Sequence, residues 1–310
     1  MSIHNGDVPN PLKLKLDPKA LAKDNSQPLK SYTKEDFLSE VFVDENQYYT
    51  IRDLLQYKKN IIFQGPRGVG KTFLSKRLAY SLMGEIDSDR VELLQFHQNF
   101  DYDNFIMGYR SDENGYSLQH GIFYKFCERA LTNPERDYYF IIEEINRGNL
   151  SKVFGELYML IDPNMRGEYV TMYYSNKKFT VPKNVYVIGT MNTATLSLAP
   201  LEIGIRRRFA FVTLKPTFNE GWRRTIQESG VSPDMVSRIL LAVEKINNGI
   251  VCDFQLGPRY AIGHGFFTSK PEHTDEQVWY EGILAFKIIP LLEEYFYDRP
   301  EKVKELIEGI

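Results

Sequence analysis

The chain has 310 residues, 43% of them hydrophobic and 25% charged, which suffices to bury a core as one large domain or two smaller ones. Its 41 acidic side chains slightly outnumber its 38 basic ones, for a formal net charge of −3; this excludes a global pull toward nucleic acid or membrane and leaves any anionic partner to a local basic patch. Cys127 and Cys252 lie far apart, the five histidines show no metal-ligand spacing, and no apolar run nears the ~18 residues of a membrane span. The chain therefore reads as a cytoplasmic protein without a disulfide framework, a zinc site or a membrane partner.

Residues 1–30 are rich in Lys, Asp, Pro, Asn and Ser with little apolar periodicity and read as a flexible lead-in or a linker to another domain. Order is expected from about Ser31. Thr33 and Asp36 have capping-box spacing at a helix start, and Phe37, Leu38, Val41 and Phe42 form its apolar face. A second helix, from about Tyr48 to Lys58, leads into the apolar run Ile61-Ile62-Phe63. Val41 and Phe42 are candidates to wall a nucleotide base, with packing on the sheet edge as the alternative.

The next stretch organises the chain. Gly65-Pro66-Arg67-Gly68-Val69-Gly70-Lys71-Thr72 follows that strand and runs into Phe73-Leu74-Ser75-Lys76-Arg77-Leu78-Ala79. This is the G-x-x-x-x-G-K-[ST] phosphate loop between the strand and helix it requires. Its glycines let successive N–H groups turn toward phosphate oxygens, and the helix start adds partial positive charge. Lys71 is placed to reach the β- and γ-phosphates and Thr72 to ligate Mg²⁺.

Val91 to Phe96 reads as a second strand. Residues 97–121, dense in Asp, Asn, Gly and Tyr, read as an irregular loop of a length that is usually functional or disordered, and Phe123 to Leu131 as a helix. Tyr138 to Ile142 is a third strand, ending in Glu143-Glu144. Two carboxylates at a strand end downstream of a phosphate loop suit metal binding by the first, Glu143, and activation of the attacking water by the second, Glu144. Leu150 to Asp162 reads as a helix with Val153, Phe154, Leu157 and Ile161 on one face. Glu168–Tyr174 and Lys177–Val181 alternate as a hairpin around Ser175-Asn176; its Lys177, Lys178 and Lys183 suit a solvated edge better than a DNA contact. Val185 to Thr190 is a fourth buried strand and delivers Asn192, placed to orient water or sense the γ-phosphate. Arg206, Arg207 and Arg208 precede the strand Phe209–Leu214 and are candidates for a finger that completes a neighbouring subunit's site. Lys215-Pro216 marks a boundary, dividing a nucleotide-binding part, 31–215, from a helical part, 216–310. In the latter, Val236–Ile246 and Trp279–Phe296 are amphipathic helices, and Leu256 to Arg259 opens another; Arg259 is a candidate to lean over bound phosphates.

With these residues in view, the chain resembles the AAA+ motor module of the McrB family, the nucleotide-driven subunit of modification-dependent restriction systems. The resemblance runs from about Tyr32 to the C-terminus. It is carried by Gln64–Leu78, Phe96–Arg110, Phe140–Asn149, Phe154–Leu157, Ile188–Ala194, Leu198–Pro200, Arg206–Phe209, Ile262–His264 and Ile289–Tyr295. It implies an α/β P-loop fold of the ASCE type, a parallel sheet flanked by helices, followed by a small helical lid and assembled as a hexameric ring. It further implies hydrolysis of GTP or ATP with Mg²⁺. Lys71 and Thr72 match Walker A, Glu143 and Glu144 Walker B, Asn192 sensor 1, and Arg206–Arg208 the region of the trans finger. Residues 97–121 resemble the helix-2 insertion of this AAA+ branch, which projects from the ring. The implied partner is a McrC-like nuclease, with DNA met indirectly through the complex.

Three departures stand out. Glu143 occupies a position usually held by Asp. Thr195 stands where many relatives have the Asp of a Met-Asn-Thr-x-Asp motif linked to GTP use. No evident DNA-reading domain or endonuclease carboxylate–lysine cluster is present, so cleavage and target recognition are expected from other chains. Two rival readings are a nucleotide-gated assembly switch and an AAA+ protein-remodelling chaperone.

Overall fold

The computed structural model describes residues 28–112, 115–194 and 203–310. Most of the N-terminal lead-in, Thr195 and the Leu198–Pro200 motif lie outside the described residues. The described residues begin with α1 (Lys34–Glu40) and α2 (Glu45–Lys58), each started by a reciprocal capping box, Thr33 with Asp36 and Asp44 with Gln47. β1 (Asn60–Gly65) leads through the phosphate loop into α3 (Lys71–Met83), and β2 (Val91–Gln95) follows.

Residues 97–121 correct the expectation of an irregular loop. They fold as α4 (Tyr102–Phe105) and a six-pair antiparallel hairpin, β3 (Met107–Asp112) with β4 (Gly115–His120). Asp101 caps α4 by accepting from the Asn104 N–H, and Phe105 stacks on Phe123 at 4.9 Å. The hairpin carries few buried side chains, so its sequence lacks the apolar alternation that announces a half-buried strand.

After α5 (Ile122–Thr132), β5 (Tyr138–Glu143) enters the sheet. The helix expected over Leu150–Asp162 is also corrected: α6 (Leu150–Phe154) ends at Gly155, and a tighter turn over Gly155–Tyr158 continues. Gly155 has φ +50°, and a Cβ there would lie 2.5 Å from the Tyr102 ring. The apolar positions Val153, Phe154, Leu157 and Ile161 are buried all the same. The hairpin after it is shorter than its alternation suggests, pairing only β6 (Val170–Thr171) with β7 (Lys178–Phe179), and Asn176 turns it at φ +54°. β8 (Val185–Asn192), α7 (Ile203–Arg208) and β9 (Ala210–Thr213) complete the α/β part.

The five strands form one parallel sheet in the order β2-β5-β8-β1-β9. The central strands β1, β5 and β8 are buried on both faces, which explains their apolar runs. Ile62, Phe140, Ile142 and Val187 join the core under α5 and α6, whereas Ile61, Phe63, Tyr139, Ile141 and Ile188 join the core under α1, α2 and α3.

A separate helical core is built from α8 (Glu220–Glu228), α9 (Pro233–Val251), α10 (Glu276–Ile283), α11 (Ile289–Tyr295) and α12 (Pro300–Ile307), with Trp222, Ile239, Tyr280 and Leu292 fully buried. The long helix expected over Trp279–Phe296 is broken by a π-helical turn at Leu284–Ile288. Pro290, near the start of α11, lacks the N–H an α-helical ladder needs. The helix expected from Leu256 is corrected to a single turn at Pro258–Tyr260. Among the described residues no helix is long and apolar enough to cross a membrane.

Candidate nucleotide site

The polar residues gather at the C-terminal edge of the sheet, the edge at which open α/β folds bind ligands. β1 ends with Gly65 opposite Asn192 of β8, and β2 ends with Gln95 opposite Glu143 of β5. A cavity of about 340 Å³ opens there. The loop side is lined by Arg67, Gly68, Gly70, Lys71, Thr72 and Phe73; the strand ends supply Gln95, Glu143, Glu144, Thr190 and Asn192. Gly70, the N-cap of α3, offers no side-chain cap, so the first N–H groups of the helix are presented as an anion cradle.

Lys71 Nζ donates to the carbonyls of Gly65 at 3.0 Å and Pro66 at 2.8 Å. Burial pulls its pKa down to about 8, with Glu144 opposing the shift and Arg67 adding to it. The Thr72 hydroxyl donates to Glu143 Oε1, which brings together two oxygen donors of the kind Mg²⁺ prefers. Val69 is buried beside Gly65.

Glu144 adopts a left-handed backbone, φ +50° and ψ 44°, at a cost of about 1–3 kcal/mol for a residue with a Cβ. Ile145, fully buried, and an Arg147 N–H bond to the Glu144 carbonyl at 2.8 Å hold the turn. The Glu144 carboxylate accepts from Arg147 Nε at 3.2 Å and faces the cavity. Asn192 is buried, and its Oδ1 accepts from the Ala194 N–H at 3.0 Å.

Other candidates stand elsewhere. Arg206, Arg207 and Arg208 form the last turn of α7 and do not line the cavity. Arg208 is tied within the chain: it lies 4.3 Å over the Tyr158 ring and donates to Gly204 O at 3.0 Å. Arg206 lies 5.7 Å over Phe211, and both Arg206 and Arg207 are exposed. Val41 is buried in the core under α3. The Phe42 ring meets His264 edge-on at 5.1 Å. Arg259 turns back onto its own segment, donating to Leu256 O and Gln255 O, while its carbonyl accepts from Thr193 Oγ1 at 3.2 Å.

Three lining or flanking residues escaped sequence reasoning. Gln95 and Thr190 line the cavity from strand ends; in hindsight, Thr190 lies two residues before Asn192 and so shares its strand face. His264 packs over the phosphate loop from the helical part. Its Nδ1 accepts from the Thr217 N–H at 3.1 Å, which leaves the proton on Nε2, and burial lowers its pKa to about 4. That contact belongs to a clamp: Gly263 N–H donates to Arg67 O at 3.1 Å, Gly265 N–H to Gly68 O at 2.6 Å, and Arg67 pairs with Glu294 at 3.2 Å.

Comparison with known proteins accords with this geometry. Residues 60–209 match the AAA domain of the dynein-related subfamily, and residues 238–304 match the McrB alpha-helical lid domain. The chain is 44% identical over 281 residues to the type IV methyl-directed restriction enzyme EcoKMcrB subunit of Escherichia coli strain K12, covering 88% of this chain and 61% of that protein. It is 33% identical over 114 residues to the type II restriction enzyme BsuMI component YdiS of Bacillus subtilis strain 168, covering 32% of this chain and 33% of that one. The chain thus spans less than two-thirds of the length of either relative. A parallel AAA sheet carrying a phosphate loop, followed by an McrB helical lid, places the chain among the McrB-type AAA+ NTPases.

Proposed function

We propose that the chain is the Mg²⁺-dependent nucleotide motor of a restriction system, hydrolysing the β–γ bond of GTP or ATP. The observation that carries this reading is the convergence of Lys71, Thr72, Glu143, Glu144 and Asn192 on one cavity at the sheet edge. Lys71 exchanges its two carbonyl partners for β- and γ-phosphate oxygens, and the uncapped start of α3 takes the remaining anionic oxygens. Thr72 and Glu143 would hold Mg²⁺, which would supply charge neutralisation on the phosphates. Glu144 accepts the proton of the attacking water, and Asn192 orients that water against the γ-phosphate. The longer Glu143 fits this role because its carboxylate already meets the Thr72 hydroxyl.

The division proposed is a nucleotide-binding domain over 31–215 and a lid over 216–310. In the assembly we envisage, a hexameric ring, the finger comes from Arg206 or Arg207, whose side chains are exposed, rather than from Arg208, which is held by Tyr158 and Gly204. The ring drives a McrC-like nuclease against foreign or modified DNA, a reading supported by the two restriction-enzyme relatives. The test is steady-state phosphate release from GTP and from ATP, with and without a chelator, before and after addition of the partner nuclease. Mg²⁺-dependent release from either nucleotide is expected; none under any condition would contradict the motor reading.

A further inference from the structure

A second cleft, of about 640 Å³, lies between the β3–β4 hairpin and the start of α5. Its chemistry differs from that of the nucleotide cavity. Arg110, Lys125, His97 and His120 line it together with the polar side chains of Asn104, Ser117 and Gln119, and among the described residues no carboxylate does, although acids outnumber bases along the chain. The hairpin register explains how this face arises. Arg110 pairs with Ser117 and Gly108 with Gln119, so one face of the ribbon carries donors and small groups, while Tyr109 pairs with Leu118 on the other. Gln119 donates to Ser117 at 2.9 Å and Arg110 to Asn104, which fixes the donors across the cleft. Carboxylates reach its lining residues only from outside the lining: Asp101 accepts from Asn104 Nδ2 at 2.7 Å, and Glu128 meets His120 at 3.4 Å. Phe100, partly exposed and stacked on Phe96 at 4.9 Å, provides an aromatic wall.

We infer that this cleft binds a nucleic-acid strand directly, through its phosphates and one stacked base. Arginine, lysine, hydroxyl and amide donors are the usual partners of phosphate oxygens, and an aromatic wall beside them is the mark of a sequence-tolerant strand site. An acidic peptide would use the cations but leave Phe100 without a planar partner. The cleft also communicates with the nucleotide site over a very short path. Gln95 lines the cavity and His97 the cleft, and between them the buried Phe96 donates its N–H to Glu143 O at 2.9 Å. The inference stands whichever nucleotide is hydrolysed.

The experiment is anisotropy titration of a short fluorescent single-stranded DNA with the full chain at low and physiological salt, using wild type, Arg110→Ala/Lys125→Ala and Lys177→Ala/Lys178→Ala. Loss of two phosphate contacts is expected to weaken binding on the order of tenfold or more at low salt and to lower the salt slope by about 1.4, the single-strand value for two phosphates. The Lys177/Lys178 variant, altered on the other basic hairpin, is expected to bind as wild type does. No binding by wild type, equal binding by the Arg110/Lys125 variant, equal losses in both variants, or displacement by polyglutamate as effective as by unlabelled DNA would each overturn the inference. Basal nucleotide hydrolysis by the Arg110/Lys125 variant, expected at the wild-type rate, separates failure of the cleft from failure of the motor.

Discussion

At the scale of single residues, the site is built from groups held away from their relaxed states. Lys71 is the clearest case, because its folded-state pKa of about 8 lies below the ordinary 10.5. Below about pH 8 it is charged both folded and unfolded, and the burial penalty is present in full. Between about pH 8 and 10.5 the folded chain gives up the proton first, so the penalty is progressively relieved and this group's contribution to stability rises with pH. Bound phosphates act in the opposite sense by favouring the ammonium. Nucleotide binding is therefore expected to take up a proton near pH 8 and to weaken above it, by at most about tenfold per pH unit. Calorimetric titration in buffers of different ionisation heat checks the uptake, and Lys71→Arg should show neither the uptake nor the pH dependence.

Residue identities were the most legible part of the sequence. The phosphate loop and the paired acids announce themselves because their chemistry requires particular side chains at fixed spacing. The left-handed backbone of Glu144 and its bond to Arg147 were not legible, because they depend on how Ile145 is buried.

At the scale of elements, the lid contact with the phosphate loop is the feature most open to test. A Cβ on Gly263 would lie 2.2 Å from the Gly68 carbonyl carbon, so the two backbones meet without room for a methyl. Gly263→Ala is expected to cost about 1–3 kcal/mol by overpacking and to weaken nucleotide binding, since the loop must yield or the clamp must lift. Gly282→Ala is the control: Gly282 lies in α10, a Cβ there meets nothing within 4 Å, and the change should be neutral or stabilise by up to about 1 kcal/mol. Thermal unfolding and equilibrium nucleotide binding of both variants decide this.

Elements were read well where burial writes a pattern. The central strands β1, β5 and β8, sealed on both faces, appear as the apolar runs from which they were inferred. The β3–β4 hairpin was read as irregular because its outer faces carry Arg110, Ser117 and Gln119 instead of an apolar alternation. The helix placed over Leu150–Asp162 failed for a different reason: its apolar spacing survives, but Gly155 turns the chain where Tyr102 must fit.

At the scale of the whole molecule, the chain presents its arginine pair away from its own cavity, as a ring-forming subunit would require. If Arg207 acts in trans, Arg207→Ala and Lys71→Ala subunits should each be inactive alone yet recover part of the wild-type turnover when mixed, because a mixed ring contains some sites with an intact lysine and an intact neighbouring arginine. The same mixing with Arg206→Ala distinguishes the two, and Arg208→Ala should instead lower stability through loss of its contacts to Tyr158 and Gly204. Turnover as a function of the mixing ratio is the measurement. The sequence could not choose among the three arginines, since adjacent identical residues differ only in what α7 makes each of them touch.

The most direct test of the central claim is steady-state hydrolysis of GTP and ATP by the wild type and by Glu144→Gln, alongside equilibrium binding of the same nucleotides. If Glu144 is the general base, the variant binds nucleotide as the wild type does and loses turnover by on the order of a hundredfold or more. Undiminished hydrolysis by Glu144→Gln would contradict the account, because the cavity would then carry out its chemistry without the residue on which the mechanism depends.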